Sequence, residues 1–178
     1  VVDGTGVEND PYRLSGDSDT DLSGELLNTR YSGEYITFGT GENNLYRIVS
    51  HEIAGLTKIT SAEPLKKSGS FINTTFGSNS SYSSSNTIGT FLNVDYLNSG
   101  NGYLRVEDIA MIEDNSTWYL GVVGENTSYK LAKYTNTTDN ILTSSMTTAK
   151  VGLLRLGELM AGQFARYGVK GEESTTDL

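Results

Sequence analysis

The feature that most constrains this chain is the spacing of its apolar residues, which come in short runs closed by Gly, Ser, Thr or Asn. No stretch approaches the roughly 18 apolar residues that a membrane-spanning helix needs. Residues 34–38 alternate between two faces, as in a strand, and residues 45–49 and 56–60 are further strand candidates. The last two segments, joined across residues 50–55, predict a β-hairpin.

Two segments have apolar residues at a helical spacing instead. The first stripe predicts a helix at about 86–98 with Ser85 or Asn86 as N-cap, and the second predicts a helix at about 156–166. Their members are Ile88, Phe91, Leu92 and Tyr96 in the first, and Leu156, Leu159, Met160 and Phe164 in the second.

The remaining segments complete the predicted organisation. Strands are expected at 103–112, 118–123 and 150–154, and residues 68–87 are expected to form a long polar surface loop. Residues 1–24 are rich in Gly and Asx, which predicts an extended N-terminal segment that packs as an edge strand or reaches a neighbouring subunit. Residues 25–178 are then expected to form a single globular domain.

Composition excludes several classes of function. The 178 residues carry a net charge of -9, and the basic residues form no stripe, so nucleic acid and anionic membranes are disfavoured as partners. The chain has no cysteine, which excludes a thiol nucleophile and a Cys-ligated metal site. Nearly a quarter of the chain is Ser or Thr, a composition that favours an extracellular location. A chain that begins at Val1 is expected to have lost a leader or to be a fragment.

The only histidine, His51, decides the prediction about catalysis. A Ser-His-Asp triad needs this residue, and the chain has no Gly-x-Ser-x-Gly nucleophile motif. His51 lies in the connection of the predicted hairpin, so we expect a solvated loop histidine and no enzyme activity.

Three carboxylates at alternate positions, Asp17, Asp19 and Asp21, match the first half of a calcium loop. The sixth position is Leu22 rather than Gly, and the twelfth is Asn28 rather than Glu. A solvated acidic turn is therefore the main interpretation, and a calcium site with Glu25 as a further ligand is the alternative.

Trp118 and Tyr119 are the candidate ligand-binding residues, because aromatic side chains stack on sugar rings and anchor recognition surfaces. Core packing is the competing interpretation, since Trp118 is flanked by Leu120 and Val122.

Charged residues beside the strands have structural interpretations. Four lysines in or beside strands are expected to be edge charges, with a side-chain cross-link to asparagine as the alternative: Lys58, Lys130, Lys133 and Lys150. Glu107-Asp108 and Glu113-Asp114 are expected to mark strand ends rather than an acid/base pair.

Several of these pieces resemble a domain family of unknown function found in Gram-positive surface and prepilin-like proteins. The family pattern is a G-d-x-V-x-F-G opening, W-R-V-L and L-L-I-S strands, an R-x-W-L-N helix and an F-L-L-S-x-x-E segment. The matching residues here are 33–39, 46–49, 59–61, 90–93, 151–154 and Glu158. The chain departs from the pattern at Tyr46, at Gly89-Thr90 and at Arg155, and it lacks the family's closing V-R-P region.

The resemblance implies a truncated domain, or one that receives strands from elsewhere. The family is similar to C-type-lectin-like and formylglycine-generating folds, which implies an α+β fold: antiparallel sheets, one or two short amphipathic helices and long polar loops. It implies no catalytic residues.

Together these observations favour a non-catalytic extracellular module of a bacterial surface protein or filament, acting in assembly or adhesion. Its expected partners are other protein subunits or cell-surface glycans. One alternative is a lectin-like carbohydrate-binding domain assisted by calcium, and another is an enzyme on a formylglycine-generating-like fold.

Overall fold

The computed structural model describes residues 1–15, 26–51, 53, 55–78, 81–120 and 146–154. It confirms an α+β fold of antiparallel sheets with short helices. Three 3₁₀ turns, Leu27–Thr29, Gly41–Asn43 and Ser99–Asn101, connect the elements of this part of the chain.

A three-stranded antiparallel sheet is the centre of the fold. It consists of β1 (Tyr35–Thr37), β2 (Leu45–Ser50) and β3 (Lys58–Ser61), in the order β1-β2-β3. Ile36 lies opposite Tyr46, and Ile48 lies opposite Ile59, so these side chains share one face. The predicted hairpin is confirmed, with a bulge between Ile48 and Ser50 on β2.

The N-terminal segment packs against the outer side of β1. The backbone amide of Tyr12 donates to Tyr35 O at 2.9 Å, and Tyr12 O accepts from Thr37 N at 2.8 Å, which makes a parallel bridge to Ile36. Gly6, with φ +75°, lies against the Tyr12 ring, and a Cβ there would approach the ring to 2.4 Å. Residues 1–15 therefore complete their own sheet.

The core lies on the Ile36 face of this sheet and is rich in aromatic residues. Phe38 and Tyr46 meet edge to face, with ring centroids 5.2 Å apart. The buried members are Tyr12, Ile36, Phe38, Tyr46, Ile48, Tyr96, Tyr103 and Leu104. Buried tyrosines need partners for their hydroxyl groups, so this core depends on internal hydrogen bonds as well as on apolar packing.

The helix predicted at about 86–98 is present as α1 (Thr87–Thr90), which continues as a π-helical segment, Phe91–Asp95. Asn86 is its N-cap, with the side-chain oxygen accepting from Gly89 N at 2.8 Å. The helix predicted at about 156–166 lies outside the described residues.

The strand predicted at 103–112 is wrong, because this segment contains a helix, α2 (Val106–Ala110). Asp108 accepts from the Arg105 amide at 3.0 Å, from the Arg105 guanidinium at 2.7 and 2.8 Å, and from Gly39 N at 3.1 Å. Glu107 and Asp108 lie in the first turn of α2, so this pair begins a helix and does not mark a strand end. Asp108 is also fully buried.

Two further strand pairs flank the core. β4 (Lys66–Lys67) and β5 (Ser70–Phe71) form a small hairpin, so the segment predicted as a polar loop at 68–87 begins with a strand and ends in α1. β6 (Ser116–Tyr119) pairs with β7 (Met146–Ala149). The strand predicted at 150–154 is wrong, since the strand ends at Ala149 and Lys150–Leu154 are irregular.

Candidate functional site

A cleft of about 500 Å³ opens beside β3, between the three-stranded sheet and the β6–β7 pair. This volume is in the range of pockets that hold small ligands or large side chains. The lining is mostly apolar. It includes Leu14, Leu26, Leu27, Phe38, Tyr46, Ile53, Leu56, Ile59, Tyr96, Met111, Ile112, Trp118 and Val151.

The outer edge of β3 forms one side of the site. Ile48 exchanges backbone hydrogen bonds with the Gly33–Glu34 segment, so its opposite residue, Ile59, has its N–H and C=O on the side away from β2. Ala62 N donates to Leu45 O, which places the backbone groups of Ser61 on the same outer side. No described residue pairs with these groups.

The two edges of the sheet therefore differ. The outward backbone groups of β1 are hydrogen-bonded to the N-terminal segment. Gly6 O accepts from Tyr35 N at 2.9 Å, in addition to the bridge at Tyr12. β3 has no such cover among the described residues. An open edge presents backbone donors and acceptors at the spacing of a partner strand.

Two buried tyrosines of the cleft lining form a polar pair. The hydroxyl oxygens of Tyr46 and Tyr96 are 2.5 Å apart, and both residues are buried. Burial raises the pKa of Tyr46 to about 12 and also raises the pKa of Tyr96, because a phenolate here loses its hydration. Both hydroxyls stay protonated near neutral pH.

Trp118 lines the cleft, and contacts with other residues of the fold fix its side chain. Its Nε1 donates to Ala149 O at 3.0 Å, and Gly152 lies directly against the ring, where a Cβ would approach to 2.2 Å. The Lys58 ammonium stands 5.2 Å from the ring centroid, a cation–π contact. Trp118 is thus a half-buried wall of the cleft, with part of its ring covered by Gly152.

Trp118 and Tyr119 do not form one platform. They are consecutive residues of β6, so their side chains project from opposite faces of the β6–β7 pair. Trp118 lines the cleft, whereas Tyr119 is absent from the lining.

Among the described residues that line the cleft, three have charged side chains: Lys58, Lys150 and Glu113. Lys150 also pairs with Asp114 at 2.5 Å, and the Asp114 side chain is 70% exposed. The described part of the lining thus has one more positive than negative side chain, whereas the whole chain carries a net charge of -9.

His51 is buried, so the prediction of a solvated loop histidine is wrong. Its Nε2 donates to Arg30 O at 2.8 Å, which leaves Nδ1 to accept from the Thr57 hydroxyl at 3.1 Å when the ring is neutral. Both partners are structural, and His51 holds the chain after β2 against the segment around Arg30.

A second buried titratable group lies near Arg30. Glu34 accepts from the Tyr12 hydroxyl at 3.1 Å and from Tyr31 N at 2.8 Å. Burial is the main cause that raises the pKa of Tyr12, and the Arg30 guanidinium partly opposes it. The Tyr12–Glu34 hydrogen bond joins the N-terminal segment to the residue that precedes β1, and it compensates both buried groups for lost hydration.

The predicted calcium ligands Asp17, Asp19, Asp21 and Glu25 lie outside the described residues. Among the residues that are described, no group of three His, Cys, Asp or Glu side chains is arranged to hold a metal ion. Within the same residues, no helix is long and apolar enough to cross a membrane.

No protein-family model, no curated protein and no solved structure matches this chain. The geometry of the β3 edge and of the cleft beside it is therefore the basis for a functional proposal.

Proposed function

We propose that this chain is a non-catalytic extracellular module of a surface protein or filament, and that it joins other protein subunits by β-strand addition at β3. The observation that carries the proposal is the outward row of backbone groups at Ile59 and Ser61, next to an apolar cleft. Strand addition uses such groups for main-chain hydrogen bonds and uses adjacent pockets for alternate side chains.

The chemistry of the edge favours a polypeptide over a sugar. Ile59 and Ser61 each present one N–H and one C=O in the plane of the sheet, and another strand has the matching groups at the same repeat. Sugar stacking needs an open aromatic face, and Trp118 has Gly152 against its ring while Tyr119 projects to the other side.

An extracellular location is supported by the Ser- and Thr-rich, cysteine-free composition. The resemblance to Gram-positive surface and prepilin-like domains supports the same location and an assembly role.

The test uses a displayed library of segments of about six residues, with Thr at alternate positions and random residues between them. We expect the complete chain to select members that slow hydrogen exchange at the amides of Ile59 and Ser61. The proposal is overturned if no member binds, or if binding protects amides elsewhere and leaves these two unchanged.

A matched pair of variants tests the edge directly. Ser61→Pro removes an outward N–H without removing a bond to β2, so it should weaken segment binding about tenfold. Ser61→Ala keeps the amide and should bind like the unsubstituted chain. Equal binding by both variants contradicts strand addition. If Ser61→Pro melts early, the amide protection in the unsubstituted chain decides alone.

Light scattering of the chain alone identifies the source of the strand. Dimers that form with rising concentration and are lost in Ser61→Pro show that a second copy supplies it. A monomer that binds library segments at β3 shows that a different subunit does.

A further inference from the structure

The core face of the sheet continues past β3 into the cleft. Ile48 is buried in the core, and Ile59, opposite Ile48 on the same face, is half-buried and lines the cleft. A strand added outside β3 extends this face by one strand spacing, about 4.8 Å. Every second side chain of that strand then points toward the cleft.

The size and lining of the cleft determine which side chains fit there. About 500 Å³ bounded by Met111, Trp118 and Leu56 favours large aliphatic or aromatic groups, since burial of apolar surface drives association. The Tyr46 and Tyr96 hydroxyls are paired with each other, so this part of the lining does not require a polar side chain from the partner.

The rim determines the charge that fits. Lys58 and Lys150 both line the cleft, and Glu113 is the only acidic residue among the lining residues described. Asp114, which pairs with Lys150, is 70% exposed, so solvent screens this ion pair and an incoming carboxylate can share the ammonium group. A partner segment with a carboxylate is therefore favoured over one with a lysine.

We infer that the strand accepted at β3 carries large apolar side chains at the alternate positions that face the cleft, and an acidic residue that meets Lys58 and Lys150. This inference rests on the proposed strand addition and adds the chemistry of the partner. An alternation of apolar residues with one Asp or Glu is a property that can be recognised in a candidate partner subunit.

The first test is the composition of the library segments that bind. We expect Leu, Ile, Phe or Trp at the positions facing the cleft and an enrichment of Asp or Glu over Lys or Arg. Trp118 is the only tryptophan of the chain and lines the cleft, so segments without tryptophan should change its fluorescence on binding.

Two matched pairs of variants test the two halves of the inference. Met111→Glu places a charge in the apolar lining and should weaken binding about tenfold, whereas Met111→Leu conserves volume and should change it little. Lys150→Met removes a rim charge and keeps the apolar stem, and Lys67→Met is the control for an exposed lysine outside the lining.

A double-mutant cycle assigns the charge contact. Replacing the acidic residue of a selected segment by its amide should weaken binding to the unsubstituted chain and have little further effect on Lys150→Met. Additive effects overturn the acidic half of the inference. Protection of Ile59 and Ser61 without an apolar preference, and with unchanged Trp118 fluorescence, overturns the apolar half while the strand addition itself still stands.

Discussion

At the scale of single residues, the paired hydroxyls of Tyr46 and Tyr96 show how this aromatic core satisfies its polar atoms. Each is buried and hydrogen-bonds to the other across 50 positions of sequence. Ionisation of either phenol would leave a charge beneath β2, and for this reason burial raises both pKa values.

The raised tyrosine pKa values predict a loss of stability at high pH. The pKa of folded Tyr46 is about 12, above the ordinary 10.0, so its contribution is complete below pH 10 and falls as the pH rises toward 12. Urea unfolding across this range should show the decline. The double variant Tyr46→Phe with Tyr96→Phe should have a shallower pH dependence. An identical pH dependence in the double variant would contradict the prediction.

His51 leads to a second prediction at this scale. His51→Leu removes the donor to Arg30 O and the acceptor for Thr57, leaving two polar groups without this partner, so we expect a loss of about 2–3 kcal/mol in the free energy of unfolding. Thr57→Val removes only one of these bonds and should cost less. A loss of under about 0.5 kcal/mol for His51→Leu is what an exposed histidine would give.

The burial of His51 was beyond the reach of the sequence pattern. Its acceptor is a backbone carbonyl 21 positions away, and no residue type marks a carbonyl as a partner. A histidine between two predicted strands has the same local sequence pattern whether it is solvated or buried. Tertiary contacts alone separate the two cases.

At the scale of elements, the predictions succeeded where one period was clear. The alternating segment 34–38 contains β1, the segments 45–49 and 56–60 pair as the predicted hairpin of β2 and β3, and α1 begins at its N-cap Asn86. The segment 103–112 was misassigned because its apolar residues fit both periods. The contact that favours the helix joins Asp108 to Gly39, 69 positions away.

The π-helical segment gives a prediction about a single amide. Asn93 donates to Gly89 O at 2.9 Å and to Val151 O at 3.0 Å, and it accepts from Val151 N at 3.0 Å. Asn93→Asp replaces the donor by a carboxylate oxygen that faces two carbonyls, so we expect a loss of about 3 kcal/mol in urea unfolding.

Asn101→Asp is the matched control for this change, since the hydrogen bond from the Asn101 amide to Asp95 O is exposed. It should cost about 1 kcal/mol or less. Equal losses for the two variants would show that Asn93 does not join Val151 to the helix.

At the scale of the whole molecule, the candidate site follows from the order of the strands. The sequence predicts a strand at both 45–49 and 56–60. The order of the strands, which places β2 in the centre and β3 at an edge, is known only from the fold. The N-terminal segment covers the opposite edge through Tyr12. Neither the open edge nor the cleft has a local sequence signal, because both depend on which elements become neighbours.

Hydrogen exchange of the complete chain tests this arrangement. The amide of Thr60 faces Arg47 across the hairpin, whereas the amides of Ile59 and Ser61 face outward. We expect a period of two along β3 in exchange measured by nuclear magnetic resonance: slow at Thr60 and faster by orders of magnitude at its two neighbours. The amide of Ile48, bonded to Glu34 O at 2.9 Å, provides the slow reference.

The comparison within β3 separates an open edge from a covered one, because all three residues belong to one strand and unfold together. Fast exchange at Ile59 and Ser61 beside a protected Thr60 shows two amides without a partner in a stable strand. Equally slow exchange at all three would show that another part of the chain already pairs with β3. In that case the isolated chain has no free edge to offer a second subunit, and the assembly proposal fails at its first step.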